Sequence, residues 1–135
     1  MFGESIAVWL LNEWMKMGEP PEIQLVELGP GTGTLISDIL RTFSRLRPEL
    51  ARGLSVHLVE ISPRMRTLQS EALGCPGAMN EAESKYGSKV CWHDHIWDVP
   101  QQFSFYIGGK TFKTPTIFGQ IILHFQLTNF STPLP

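Results

Sequence analysis

Leu25-Val26-Glu27-Leu28-Gly29-Pro30-Gly31-Thr32-Gly33-Thr34 is the stretch that decides the fold of this chain. A run of apolar residues carries an acid near its end and breaks into three alternating glycines. The helical pattern Leu35-Ile36-Ser37-Asp38-Ile39-Leu40 begins at once. Glycine lets the backbone turn tightly and approach a ligand closely, because no Cβ stands in the way. A strand, a glycine turn and a helix in that order place a nucleoside-type cofactor over the carboxyl end of a parallel strand.

Spacing narrows the choice of cofactor. A dinucleotide fingerprint needs G-x-G-x-x-G, and after Gly29 and Gly31 its third position falls on Thr34. Gly108-Gly109-Lys110-Thr111 supplies the end of a P-loop, but Ser104 stands where its first glycine belongs. The remaining pattern, E-x-G-x-G-x-G, resembles the first motif of S-adenosyl-L-methionine-dependent methyltransferases. That resemblance implies that Gly29, Gly31 and Gly33 pass under the methionine part of the cofactor and that Glu27 helps to orient it. The plainer alternative is a glycine-rich turn with no ligand, which is costly in chain entropy.

The second strand pattern, Leu54-Ser55-Val56-His57-Leu58-Val59, is rich in β-formers and runs into Glu60. Ser62 then reads as a helix N-cap, with Pro63 in the first turn. A carboxylate at this strand tip can accept hydrogen bonds from both ribose hydroxyls. A solvated surface glutamate is the competing reading. Its position one βα unit after the glycine turn favours the ribose role.

Met1-Phe2-Gly3-Glu4, the glycine stretch through Leu35, His57-Leu58-Val59-Glu60, and Asp98-Val99-Pro100 with Phe103-Ser104-Phe105-Tyr106-Ile107 together resemble the MidA-type protein arginine methyltransferases. These are mitochondrial proteins that assist assembly of respiratory complex I. The resemblance runs from Met1 to about Ile107, roughly four fifths of the 135 residues. It implies S-adenosyl-L-methionine as cofactor, an arginine of a complex I subunit as substrate and a mitochondrial location. It also implies a class I methyltransferase fold, Rossmann-like α/β with a parallel sheet, here partial, its C-terminal strands missing or replaced. Residues 1–107 are then the cofactor-binding part, and residues 108–135 a divergent tail.

Composition fits that reading. A chain of 135 residues is one domain at most, short for a complete methyltransferase sheet. Eleven basic against thirteen acidic residues leave no nucleic-acid footprint. No apolar run reaches the ~18 residues that cross a bilayer. The chain opens on a helix-like segment rather than a cationic amphipathic leader, so the expected import signal lies outside it. Cys75 and Cys91 give no disulfide framework and suit a reducing compartment.

Periodicity predicts a helix over 5–17 with a stripe of Ile6, Trp9, Leu10, Trp14 and Met17, and a first strand over 23–28. It predicts helices to about Leu46 and over 63–73, with Pro48 and Gly53 bracketing the return to the second strand. Residues 74–88 read as a surface loop, 89–93 as a third strand and 103–107 as a fourth. Alternate residues Cys91, His93 and His95 could face one metal, but the spacing is not a usual zinc pattern and no fourth ligand is evident, so no metal is expected. In this superfamily the third strand often ends in an acid that accepts the adenine amino group. Asp94 is the nearest candidate.

The chain departs from the family after Ile107. An Asn-Glu-Phe-Phe-Asp-type segment follows there in the family, with acids to hold the substrate guanidinium. Here Lys110 falls on the Glu and Lys113 on the Asp, reversing charge beside a cationic donor and a cationic acceptor. No catalytic residue is assigned. Three expectations follow: an arginine methyltransferase of this family, a shortened, inactive module that binds the cofactor or a partner, or a truncated product with no stable function. Ile121-Ile122-Leu123-His124-Phe125 reads as an extra strand or as an alternative end.

Overall fold

A computed structural model describes residues 2–100, 104–108 and 121–124. Helix α1 (Phe2–Lys16) leads into strand β1 (Ile23–Leu28) and helix α2 (Thr34–Leu46). A short helix α3 (Pro48–Gly53) precedes β2 (Leu54–Val59), and α4 (Pro63–Ala72) follows it. Strands β3 (Glu81–Glu83), β4 (Lys89–His93), β5 (Ser104–Gly108) and β6 (Ile121–His124) complete the order, with a 3₁₀ turn over Ile96–Asp98. The sheet runs β3-β4-β2-β1-β5-β6. Every pairing is parallel except β3 with β4.

This is the expected α/β architecture, with β1 at the centre and its neighbours reached by crossovers. Register places Leu25 beside Val56 and Phe105, and Val26 beside His57 and Tyr106. Side chains alternate across a sheet, so Ile23, Leu25, Val56, Leu58, Val90, Trp92, Phe105 and Ile107 share one face. That face carries the main core, closed by Ile6, Leu10 and Trp14 of α1 and Ile36, Ile39, Leu40 and Phe43 of α2. The α2 residues recur at helical spacing, which explains why α2 lies along the sheet. On the opposite face Val26 and Val99 form a smaller cluster with Leu28, Val59 and Ile96.

Several boundaries differ from the sequence reading. Helix α1 begins at Phe2 and ends at Lys16, and Met17 packs on the core from just beyond it. Residues 48–53 are helical, because Pro48 sits at the first turn of a helix as readily as in a loop. The segment read as a loop over 74–88 contains β3, which pairs with β4 through Glu81↔Cys91 and Glu83↔Lys89. Two of its three residues are exposed glutamates flanking Ala82, and so short a charged edge strand carries too little apolar alternation to betray it. Residues 121–124 form a strand parallel to β5, from Phe105↔Ile121 to Gly108↔His124. Phe103 and the segment with Lys110 and Lys113 lie outside the described residues.

Candidate functional site

The carboxyl ends of β1, β2 and β4 lie side by side, and the predicted residues gather there. The glycine turn is tied to β2 by Gly29 N–H donating to Val59 O at 3.0 Å, and closes on itself through Gly33 N–H to Pro30 O at 3.0 Å. Gly29, Gly31 and Gly33 have φ of 62°, 59° and 83°, the left-handed region that costs an L side chain about 1–2 kcal/mol. They differ in what surrounds them. A Cβ on Gly29 or Gly31 would point into open space, with nothing within 4 Å. A Cβ on Gly33 would stand 3.1 Å from Gln69 Cα and 3.4 Å from Ala72 Cβ. The first two keep room for a ligand; the third lets α4 pack against the start of α2.

Glu27 is 6% exposed, and among the described residues its Oε1 has no hydrogen-bond partner. Burial pushes its carboxyl up to about 8, so near neutral pH it holds a proton. An orphaned carboxyl beside an open glycine turn is costly for the protein alone. It fits a cationic or hydrogen-bond-donating ligand.

Glu60 is built differently. Its backbone N–H donates to His93 O at 2.9 Å, fixing the β2 and β4 ends together. Its Oε2 accepts from Ser62 N–H at 3.2 Å and its Oε1 from Gln69 Nε2 at 3.1 Å. Each carboxylate oxygen has capacity for a further donor, which suits the two hydroxyls of a ribose. Ser62 also caps α4, accepting from Met65 N–H at 3.3 Å.

Asp94 lies at the β4 end with its side chain 66% exposed and paired to Arg66 Nη2 at 2.8 Å. Arg66 Nε donates to Glu60 O at 2.7 Å, so one guanidinium joins the two strand ends. Beside them Ile61 is exposed, and an exposed Trp97 stacks on His95 with ring centroids 4.4 Å apart. His93 Nε2 lies 2.8 Å from His57 Nδ1, and burial holds both imidazoles below their ordinary range, His57 to about 4. Among the described residues no group of three or more His, Cys, Asp and Glu side chains is arranged to hold a metal ion.

Sequence reasoning missed Arg66, Gln69 and Trp92. The signal available was helical spacing in α4, which places Arg66, Gln69 and Leu73 on one face. Gln69 is fully buried on that face, an uncommon place for an amide.

A family model described as an S-adenosyl-L-methionine-dependent methyltransferase matches residues 5–113. The chain is 44% identical to the "Protein arginine methyltransferase NDUFAF7, mitochondrial" of Xenopus tropicalis over an alignment of 125 residues, which covers 83% of this chain and 29% of that protein. The human protein of the same name is 39% identical over 124 residues, covering 83% and 28%. The Drosophila melanogaster protein named as its homolog is 36% identical over 123 residues, with the same coverage. The chain spans less than a third of the length of these relatives.

Proposed function

The chain belongs to the MidA-type family of S-adenosyl-L-methionine-dependent methyltransferases, and on that premise we propose that it is the cofactor-holding part of a mitochondrial protein arginine methyltransferase. The cofactor lies over the carboxyl ends of β1, β2 and β4. Gly29 and Gly31 give its methionine part room, with Gly33 closing the turn behind them. Glu60 accepts from the ribose, Asp94 from the adenine amino group, and Glu27 lies behind the turn. The acceptor is an arginine of a complex I subunit, and the modification supports assembly of that complex. The observation that carries the reading is the open space at Gly29 and Gly31, in a turn flanked along the chain by Glu27, whose Oε1 has no partner among the described residues, and by Glu60, which is hydrogen-bonded.

The cofactor supplies a methyl group on a cationic sulfonium, open to in-line attack by a guanidinium nitrogen. The contribution of these residues is to hold and orient that donor. Near neutral pH the Glu27 carboxyl holds a proton, which a cation nearby would favour releasing. Glu60 is fixed by Ser62 and Gln69 before any ligand arrives.

A second reading rests on Lys110 and Lys113, which replace the acids that the family pattern places near the acceptor. Two cations in place of those acids would repel both an arginine and a sulfonium, and on this reading the chain by itself is a non-catalytic binding module. Calorimetric titration of the chain with S-adenosyl-L-methionine, followed by a labelled-methyl transfer assay on an arginine peptide, separates the possibilities. Saturable binding with no transfer supports the module. Binding with transfer supports the enzyme, and no binding defeats both.

A further inference from the structure

Gln69 lies between the glycine turn and Glu60 and is bonded to both. Its side chain is fully buried, and both amide atoms have hydrogen-bond partners. Trp92 Nε1 donates to Gln69 Oε1 at 2.9 Å. Gln69 Nε2 donates to Gly31 O at 2.7 Å and to Glu60 Oε1 at 3.1 Å. An indole N–H can only donate, so it fixes which end of the amide is oxygen. The NH₂ must then face the glycine turn and Glu60, where both partners are acceptors. Turned over, the amide would set its oxygen against a carboxylate and a carbonyl and leave the indole facing two N–H donors.

The surroundings hold that arrangement. Gly33 lets Gln69 Cα come within 3.1 Å of where a Cβ would stand, so α4 sits close enough for a glutamine to reach Gly31. Trp92 lies on β4 in register with Leu58 of β2, and is itself only 4% exposed. The amide therefore joins three separate strand ends: the turn after β1, the acid after β2 and the indole of β4.

We propose that Gln69 is the positioning residue of the cofactor site, holding the Gly31 peptide and the Glu60 carboxylate in one fixed relation while Trp92 sets the sense of its amide. This rests on the reading that S-adenosyl-L-methionine is the ligand. The Gly31 segment faces the methionine part and Glu60 the ribose, so a shift between them misplaces one half of the donor against the other. Gln69 touches neither half and acts through Gly31 and Glu60.

The test is titration of the whole chain with S-adenosyl-L-homocysteine and with its 2′,3′-dideoxy analogue, for the parent, Gln69→Met, Gln69→Glu and Trp92→Phe. Gln69→Met keeps the volume and removes both donors. It is expected to weaken the ribose-bearing ligand at least tenfold and to shrink the preference for ribose over dideoxyribose. A residue that only supports packing would weaken both ligands alike. Gln69→Glu, when ionised, faces Glu60 with a second carboxylate. Its affinity is expected to recover toward the parent's as pH falls from 8 to 5, more steeply than the parent's own profile. Trp92→Phe leaves the amide in place but unoriented, and a few-fold loss is expected. Amide hydrogen exchange in the unliganded chain reads the clamp directly: Gln69→Met is expected to speed exchange at Gly33 at least tenfold. A parent that binds neither ligand overturns the cofactor reading and this role with it. A parent that binds, with Gln69→Met within twofold and its ribose preference intact, overturns the role alone.

Discussion

Two acids at neighbouring strand ends, Glu27 and Glu60, look alike in the sequence and are opposite in the structure. Glu27 lies within β1, buried, with one oxygen unpartnered among the described residues. Glu60 stands just past β2 and has a donor on each oxygen. The difference is one of position along a strand. A residue inside a central strand faces the sheet's core layer, whereas the next residue out meets the first turn of a helix and its free N–H groups. The protein thus keeps one poorly solvated carboxyl with a raised proton affinity and one hydrogen-bonded carboxyl at the ends of adjacent strands.

The largest effect expected from this contrast is on stability. With a carboxyl at about 8 when folded against 4.5 ordinarily, Glu27 holds a proton in the folded chain between those values and not in the unfolded one. The unfolded state binds fewer protons there, so stability falls as pH rises from 4.5 to 8 and is level above it. Glu27→Gln should remove that slope and stabilise the chain at pH 9 by up to about 5 kcal/mol. Urea midpoints at pH 6, 7.5 and 9 measure it. A parent curve as flat as the variant's would contradict the raised carboxyl of Glu27. His57 works in the opposite sense on the acidic side, since its proton at about 4 when folded against 6.5 ordinarily makes stability fall as pH drops below 6.5.

Next comes the turn between the acids. Gly31→Val places a side chain in the open space and in a left-handed backbone. It should weaken S-adenosyl-L-methionine at least a hundredfold, about 3 kcal/mol, with a smaller drop in thermal midpoint. Gly33→Val should reverse that balance, because its Cβ meets Gln69 and Ala72 rather than a ligand. Equal midpoints for the two variants would contradict the division of roles.

A smaller change is expected at Glu60. Glu60→Gln keeps the shape and loses charge-assisted acceptance, and should cost roughly tenfold in affinity, about 1.4 kcal/mol. An affinity equal to the parent's would erase the contrast with Glu27. The smallest effect belongs to the cap beside Glu60: Ser62→Ala should lower stability by about 1 kcal/mol in thermal melts and leave Glu27's pH slope untouched.

The elements legible in the sequence were those with a period or a punctuation mark. β1 was read at its observed bounds, and α2 and α4 to within a residue at each end, because apolar spacing runs along them and Gly33 and Ser62-Pro63 mark their starts. β3 and α3 carry no such mark. β3 is a three-residue edge, two glutamates about Ala82, whose partner strand alone makes them a strand. In α3 a proline admits both a turn and a helix start.

By itself the sequence determined the α/β order, the glycine turn with its strand-end acids, and the family to which they belong. These follow from local chemistry: glycine's freedom at positive φ, alternation in strands and the 3.6-residue period of helices. Only the tertiary structure decided that Glu27 is neutral and Glu60 preformed, that Gly33 serves packing while Gly29 and Gly31 leave space, and that Gln69 joins Gly31, Glu60 and Trp92. A proton's affinity and an amide's orientation depend on which groups approach from distant parts of the chain. That approach is set by the sheet's register and by how closely α4 packs upon it.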